Sequence, residues 1–419
     1  MILSGARSSL FQWRCSSPFN TETYILLKHV FDGILSFMAT LFLVIIYLAF
    51  ISLGLPDSLL GAAWPVMQVE FGAPFEAAGL ISMVITGGTI VSSLASGAVL
   101  KRLGTGKVTF VSCLMTAGSL LGFSFSPSLI WLLFLAVPLG LGAGSVDSAL
   151  NNYVATHYKA HHMSWLHCFW GVGATLGPMI MSRSMAGQST WRNGYLSVSL
   201  IQFALVILLF ATLPLWDKNT VLSQGTVKKT GLLNVKGVKL ALTTFLFYCA
   251  VEASLGLWGG SYLVYVKGLS AVVAAQWVSM YYAGITIGRL ITGFITLKVS
   301  NRILIRAGQI TALAGTALLL LPLPTICSLA GFILIGLGCA PIFPCMLHET
   351  PVRFGKENSQ VIMGFQMAVA YTGSTFLPPL LGLVAAYTTI GILPFFVLVY
   401  IMAMLAGSEK INALINRND

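Results

Sequence analysis

The stretch Gly140-Leu141-Gly142-Ala143-Gly144-Ser145-Val146-Asp147-Ser148-Ala149-Leu150-Asn151 sets one carboxylate and one amide, four residues apart, among apolar and small residues. Residues four apart share a helix face. The surrounding run, residues 128–156, can cross a bilayer, which takes roughly 20 apolar residues as a helix. Its triplet Gly140-Leu141-Gly142 returns as Gly336-Leu337-Gly338, inside another such run at residues 325–348. Two further echoes flank it. Ser82-Met83, Gly87 and Thr89-Ile90 return at the same spacing as Ser279-Met280, Gly284 and Thr286-Ile287. Gly173-x-Thr175-x-x-Pro178 returns as Gly373-x-Thr375-x-x-Pro378. All three keep chain order. A duplicated set of spans is a feature of secondary transporters, whose substrate site lies between the repeats near the bilayer midplane.

Working outward, apolar runs bounded by Gly, Pro, Asn or charged clusters fall at residues 38–67, 77–100, 108–125, 128–156, 164–185, 194–215, 238–266, 272–297, 303–322, 325–348, 359–386 and 388–407. The expected fold is all-α and integral to the membrane, with twelve transmembrane helices in two six-helix pseudo-repeats. The halves span residues 38–215 and 238–407. A cytoplasmic linker at 216–237 joins them, and a cytoplasmic tail covers 408–419. Residues 1–37 read either as a cytoplasmic arm or, preferably, as sequence ahead of a native start at Met38.

Composition supports this class. The chain is 57% hydrophobic and 8% charged, against about 25% charged in an ordinary soluble domain. Too few charges exist to cover a soluble surface, and a disordered chain is excluded for the same reason. The net charge of +11 follows topology. Lys101, Arg102 and Lys107 share one side with Lys159, Lys218, Lys228, Lys229, Lys236, Lys239, Lys298, Arg302, Arg306, Arg353 and Lys356, whereas the alternate loops hold only Arg183, Arg192 and Lys267. Basic loops stay in the cytoplasm. Both termini are therefore expected there, and no nucleic-acid partner is needed to explain the charge.

The seven cysteines are scattered without zinc-type spacing. His157 and His161 stand four apart but have no acidic or Cys partner nearby, so no metal is expected. No phosphate-binding Gly loop, GxSxG elbow or HExxH occurs. Neither a cofactor nor an enzymatic activity is expected.

Ionisable groups at bilayer depth are costly and point to cavities, partners or pathways. Asp57 follows Pro56, which loosens the helix beside a carboxylate. Asp147 has Asn151 on its face; a carboxylate beside an amide, partly out of water, suits a proton carrier. Glu252 precedes Trp258 and Tyr262, spaced as rings that suit a sugar's apolar face and hydroxyls. His167 opens the fifth span and could relay a proton or bond a ligand. Arg289 needs a partner at depth, and Glu349 is the expected one, in a structural ion pair.

These residues carry a resemblance. Twelve spans in two repeated halves resemble the major facilitator superfamily and, within it, the fucose permease-like group of sugar transporters. The resemblance covers roughly residues 38–407. It rests most specifically on Leu55-Pro56-Asp57 and on Gly142 through Asp147 to Asn151, with Ala340-Pro341-Ile342-Phe343-Pro344 also similar. It implies that Asp57 is a substrate-site or coupling carboxylate, that Asp147 is the proton site, and that His167 occupies a polar position of the fifth span. Two departures stand out. The loop Gly97-Ala98-Val99-Leu100-Lys101-Arg102-Leu103-Gly104 has Lys101 where the superfamily has an acid. Span 4 has Asp where the fucose permease has Glu.

The expected function is proton-coupled symport of a sugar or similar small polar solute by alternating access. Asp147 and Asp57 would couple protons. Asp57, Asn151, His167, Glu252, Trp258 and Tyr262 would bind substrate. The expected setting is a monomer in the cell membrane, partnered by solute, protons and lipid. Two other readings stay open: a proton-driven exporter of drugs or metabolites, and a membrane sensor that binds a solute without moving it.

Overall fold

The computed structural model describes residues 21–158, 160–187, 190–216, 235–296 and 298–415. The expected arm at 1–20, most of the linker and the last four residues lie outside them. So do the side chains of residues 21–28, 30–39, 160, 161, 164, 356, 357, 360 and 415. The described chain is helical throughout. In order, its helices are α1 (Thr21–Asp57), α2 (Leu59–Phe71), α3 (Ala77–Ser124), α4 (Leu129–His157), α5 (Ala160–Met185), α6 (Trp191–Thr212), α7 (Val238–Tyr265), α8 (Ala271–Ile295), α9 (Asn301–Leu320), α10 (Ile326–Cys339), α11 (Ile342–Phe354), α12 (Lys356–Tyr387) and α13 (Leu393–Ile415).

Local sequence explains where these helices break. Pro56 removes a hydrogen bond from the end of α1, and Ser58 separates α1 from α2. The first expected span is thus two helices meeting at Asp57. Helix α1 itself begins earlier, at Thr21, ahead of the apolar segment that starts at Thr40. No proline lies between Thr21 and Pro56 to interrupt it. Pro341 likewise divides α10 from α11. At 48 residues α3 would extend roughly 70 Å at 1.5 Å per residue. Gly104, at φ 76° and ψ 161°, breaks it in a conformation that only glycine adopts easily. Ten helical segments among the described residues are long and apolar enough to cross a membrane, with α3 counted as one of them. Helix α5, which carries His167 and Arg183, is not among the ten.

Small residues set the packing, and they set it twice. A Cβ on Gly140 would stand 2.0 Å from the Ile85 carbonyl oxygen, and one on Gly336 would stand 2.2 Å from that of Tyr281. Gly142 lies under the carbonyl of Ser112, and Gly338 under that of Gly308. Gly88 meets Gly140 and Leu141, and Gly284 meets Gly336 and Leu337. Each second contact is the first moved on by 196 residues. The contacts align Gly284 with Gly88, one residue away from the Gly87 that the sequence echo pairs with it.

Helices α1 to α6 pack among themselves, chiefly α3 with α4 and α6 and α1 with α5. Helices α7 to α13 do likewise, chiefly α12 and α13 with α7 and α10 with α8 and α9. Across the seam, α5 lies on α8, α3 on α12 and α2 on α7. The tight cross-seam contacts gather towards the end that carries loops 72–76 and 266–270. There a Cβ on Gly61 would meet the Gly256 carbonyl at 2.0 Å, Phe75 stacks on Trp258 at 4.8 Å, and the Tyr265 hydroxyl donates to Gln68 at 3.0 Å. Behind these contacts, the seam opens into a cavity.

Candidate functional site

The cavity has a volume of about 350 Å³. Phe50, Asp57, Asp147, His167, Trp170, Tyr248, Glu252, Tyr282, Arg289, Phe343 and Tyr371 are among its lining residues. Both helix groups therefore contribute. Pockets of a few hundred cubic ångströms with apolar walls and a few convergent polar groups are the usual form of a small-molecule site.

Asp57 enters from the break between α1 and α2. It is exposed, and its carboxylate faces the open cavity. The indole Nε1 of Trp170, on α5, donates to Asp57 Oδ2 at 2.8 Å. Asp147, on α4, is half-buried. Asn151 Nδ2 donates to its Oδ1 at 2.9 Å from one turn away, and the Tyr371 hydroxyl donates to its Oδ2 at 3.3 Å from α12. The Asp147–Tyr371 bond crosses the seam between the helix groups.

The second group supplies the positive charge. Arg289 stands 3.5 Å from Glu252 Oε2. Tyr248 donates its hydroxyl proton to Glu252 and accepts from Arg289 Nη2 at 3.2 Å. The Arg289 guanidinium also lies over the Trp170 ring, 5.1 Å from its centre. His167 sits between Phe50 and Phe343, with ring centres 5.9 and 6.1 Å away.

The sequence profile of the Major Facilitator Superfamily matches residues 46–379. The chain belongs to that superfamily. It is similar to Bypass of stop codon protein 6 of Saccharomyces cerevisiae, at 22% identity over 86% of this chain and 80% of the relative. It is also similar to the glucose/mannose transporter GlcP of Bacillus subtilis, at 23% identity over 58% of this chain and 63% of that protein. Among solved structures, the nucleoside transporter NupG superposes with a TM-score of 0.72 at 14% identity, covering 88% of this chain and 98% of that one. The Major Facilitator Superfamily transporter FucP in its outward conformation superposes with a TM-score of 0.62 at 15% identity, covering 88% of this chain and 98% of that one. Membership of the superfamily makes the chain a membrane transporter and not an enzyme, and the solved structures share its all-helical fold.

The structure gathers Asp57, Asp147, His167 and Glu252 around one cavity, with Asn151 behind Asp147. Three expectations need correction. Trp258 is fully buried away from the cavity, where its Nε1 donates to the Pro378 carbonyl at 2.7 Å. Tyr262 is buried and donates to the Leu319 carbonyl at 3.0 Å. Both rings pack helices together, because α7 turns that face towards its neighbours. Arg289 does not pair with Glu349. Glu349 is instead held by Arg353 at 2.9 Å and Arg302 at 3.5 Å, far along α11 from the cavity. Sequence reasoning missed Trp170, Tyr248, Tyr282 and Tyr371, and it assigned Arg289 only a structural role. The one available signal was that Tyr248 lies a turn from Glu252 on the same face. Among the described residues no group of three or more potential metal ligands gathers; the side chain of His161 lies outside them.

Proposed function

We propose that the chain is a secondary active transporter that carries a sugar or similar small polar solute together with a proton by alternating access. The observation that supports this most is the pair of carboxylates, Asp57 and Asp147, held among the described residues only by neutral donors, in a cavity at the seam. A carboxylate without a cationic partner in a partly dehydrated site takes a proton readily. In this reading Asp147 carries the coupled proton. Asp57, His167 and Glu252 offer the solute hydrogen-bond acceptors, and Asn151 orients Asp147.

Alternating access follows from the seam. Ionised Asp147 accepts from Tyr371 of the other helix group, which ties the groups together. A proton on Asp147 weakens that tie, and solute binding favours the rocking of one group against the other. The recurring contacts at a shift of 196 residues support two six-helix repeats. Twelve crossings result when α3 is counted twice about Gly104 and α5 is added. The basic loops then face the cytoplasm, with both termini. The sealed end, at loops 72–76 and 266–270, becomes the outer one, so the cavity opens inward. The protein would act as a monomer in the cell membrane. The solute class takes support from GlcP, named for glucose and mannose, and from FucP of Escherichia coli, named a fucose:proton symporter.

Counterflow separates the two parts of this reading. Liposomes loaded with one sugar should exchange it for labelled sugar outside without a pH gradient, and a gradient should then drive accumulation. Exchange with no response to the gradient would leave a facilitator rather than a symporter.

A further inference from the structure

The cavity is unevenly charged. Asp57, Asp147 and Glu252 line it, against one guanidinium, Arg289, and one imidazole, His167. Arg289 spends its charge within its own helix group, on Glu252 and Tyr248. The Trp170 ring, which bonds Asp57 at its edge, carries Arg289 on its face. Among the described residues, Asp57 and Asp147 are hydrogen-bonded by uncharged donors alone.

A second observation concerns Tyr282. It is only 5% exposed and lines the same cavity, and its hydroxyl has no hydrogen-bond partner among the described residues. Gly256 makes room for it, since a Cβ there would lie 2.2 Å from the hydroxyl oxygen. The hydroxyl opens on the cavity rather than being sealed in protein, so a ligand can reach it, and the ring stands edge-on to Trp170 at 6.4 Å. Phe50 lies two helical turns before Asp57, on the same face of α1, and also lines the cavity. Aromatic rings and a carboxylate lining one cavity are the groups that recognise substituted ammonium ions.

We infer that the cavity binds small organic ammonium ions, with the positive charge at Asp57 and the alkyl groups against Phe50 and Tyr282. An anion would meet more carboxylates than cations there, and the Nη2 of the single guanidinium is already engaged by Glu252 and Tyr248. The inference rests on the reading that this cavity is the solute site. It does not require the solute to be a sugar.

Choline tests it against 3,3-dimethylbutan-1-ol, which has the same shape without the charge. Titration calorimetry on the purified full chain in lipid nanodiscs should show choline binding at least about tenfold more tightly than the alcohol. Asp57→Asn should remove that difference. The comparison of the two ligands stands on the unmodified protein, so it survives a variant that fails to fold. Equal affinities, or a preference for choline that persists in a folded Asp57→Asn protein, would overturn the inference. Glucose, mannose and fucose in the same experiment separate the two readings. Heat from one of these sugars with none from choline would defeat the ammonium site and leave the solute cavity. No heat from any of the five compounds, in protein with a normal unfolding midpoint, would defeat both.

Discussion

The indole of Trp170 donates to Asp57 at 2.8 Å, joining α5 to the break between α1 and α2 inside the cavity. A hydrogen bond to a charged group contributes about 1.5–3 kcal/mol. Trp170→Phe keeps an aromatic face for Arg289 but loses the donor. We expect solute affinity to fall about tenfold, with a smaller loss of stability, because cavity water can replace the donor. Binding calorimetry beside thermal unfolding checks this. An unchanged affinity would show that the bond does not shape the site.

The reassigned ion pair can be tested energetically. Residues in direct contact couple by about 0.5–3 kcal/mol, and distant ones add. A double-mutant cycle of Arg289→Gln with Glu252→Gln should show coupling in that range. The cycle of Arg289→Gln with Glu349→Gln should show almost none. Unfolding midpoints in one detergent provide both numbers, and the reverse pattern would restore the pairing expected from sequence.

How much was legible follows from what each residue reveals about itself. Asp57, Asp147, Glu252 and Arg289 stand out because a charge in an apolar run is conspicuous and costly. Which charge faces which is set by helix rotation and tilt, which spacing along the chain does not encode. Arg289 on α8 therefore found Glu252 on α7, while Glu349 was taken by Arg353 one turn away on α11. Aromatics are ambiguous for the same reason. Trp170 and Trp258 look alike in sequence, yet one bonds a carboxylate in the cavity and the other bonds a helix carbonyl in the packed seam. The repeat was readable from its glycines, because close helix contacts tolerate few other residues. Its register was off by one, since Gly87 and Gly88 are adjacent and only the structure shows which one is crowded.

The glycine contacts make a matched set of predictions. Gly140→Ala and Gly336→Ala should each lower the unfolding midpoint, since the added carbon would overlap a backbone carbonyl of a neighbouring helix. Overpacking of this kind costs about 1–3 kcal/mol. Gly87→Ala has open space around it and should be neutral or stabilising by up to about 1 kcal/mol. Equal effects at Gly87 and Gly140 would refute the assigned register.

Trp258 should behave as a packing residue. Trp258→Phe removes its bond to the Pro378 carbonyl and part of its stack on Phe75. Stability should drop by about 1–3 kcal/mol, while the dissociation constant for solute stays within twofold or so. A large loss of affinity in a stable variant would return Trp258 to the binding site.

The central claim is that Asp147 carries the coupled proton. The most direct measurement places purified protein in liposomes with a pH-sensitive dye inside and adds neutral sugars one at a time. The account predicts that one of them acidifies the interior, and that Asp147→Asn abolishes the acidification while sugar exchange continues. Acidification of equal size in the Asp147→Asn protein would contradict it.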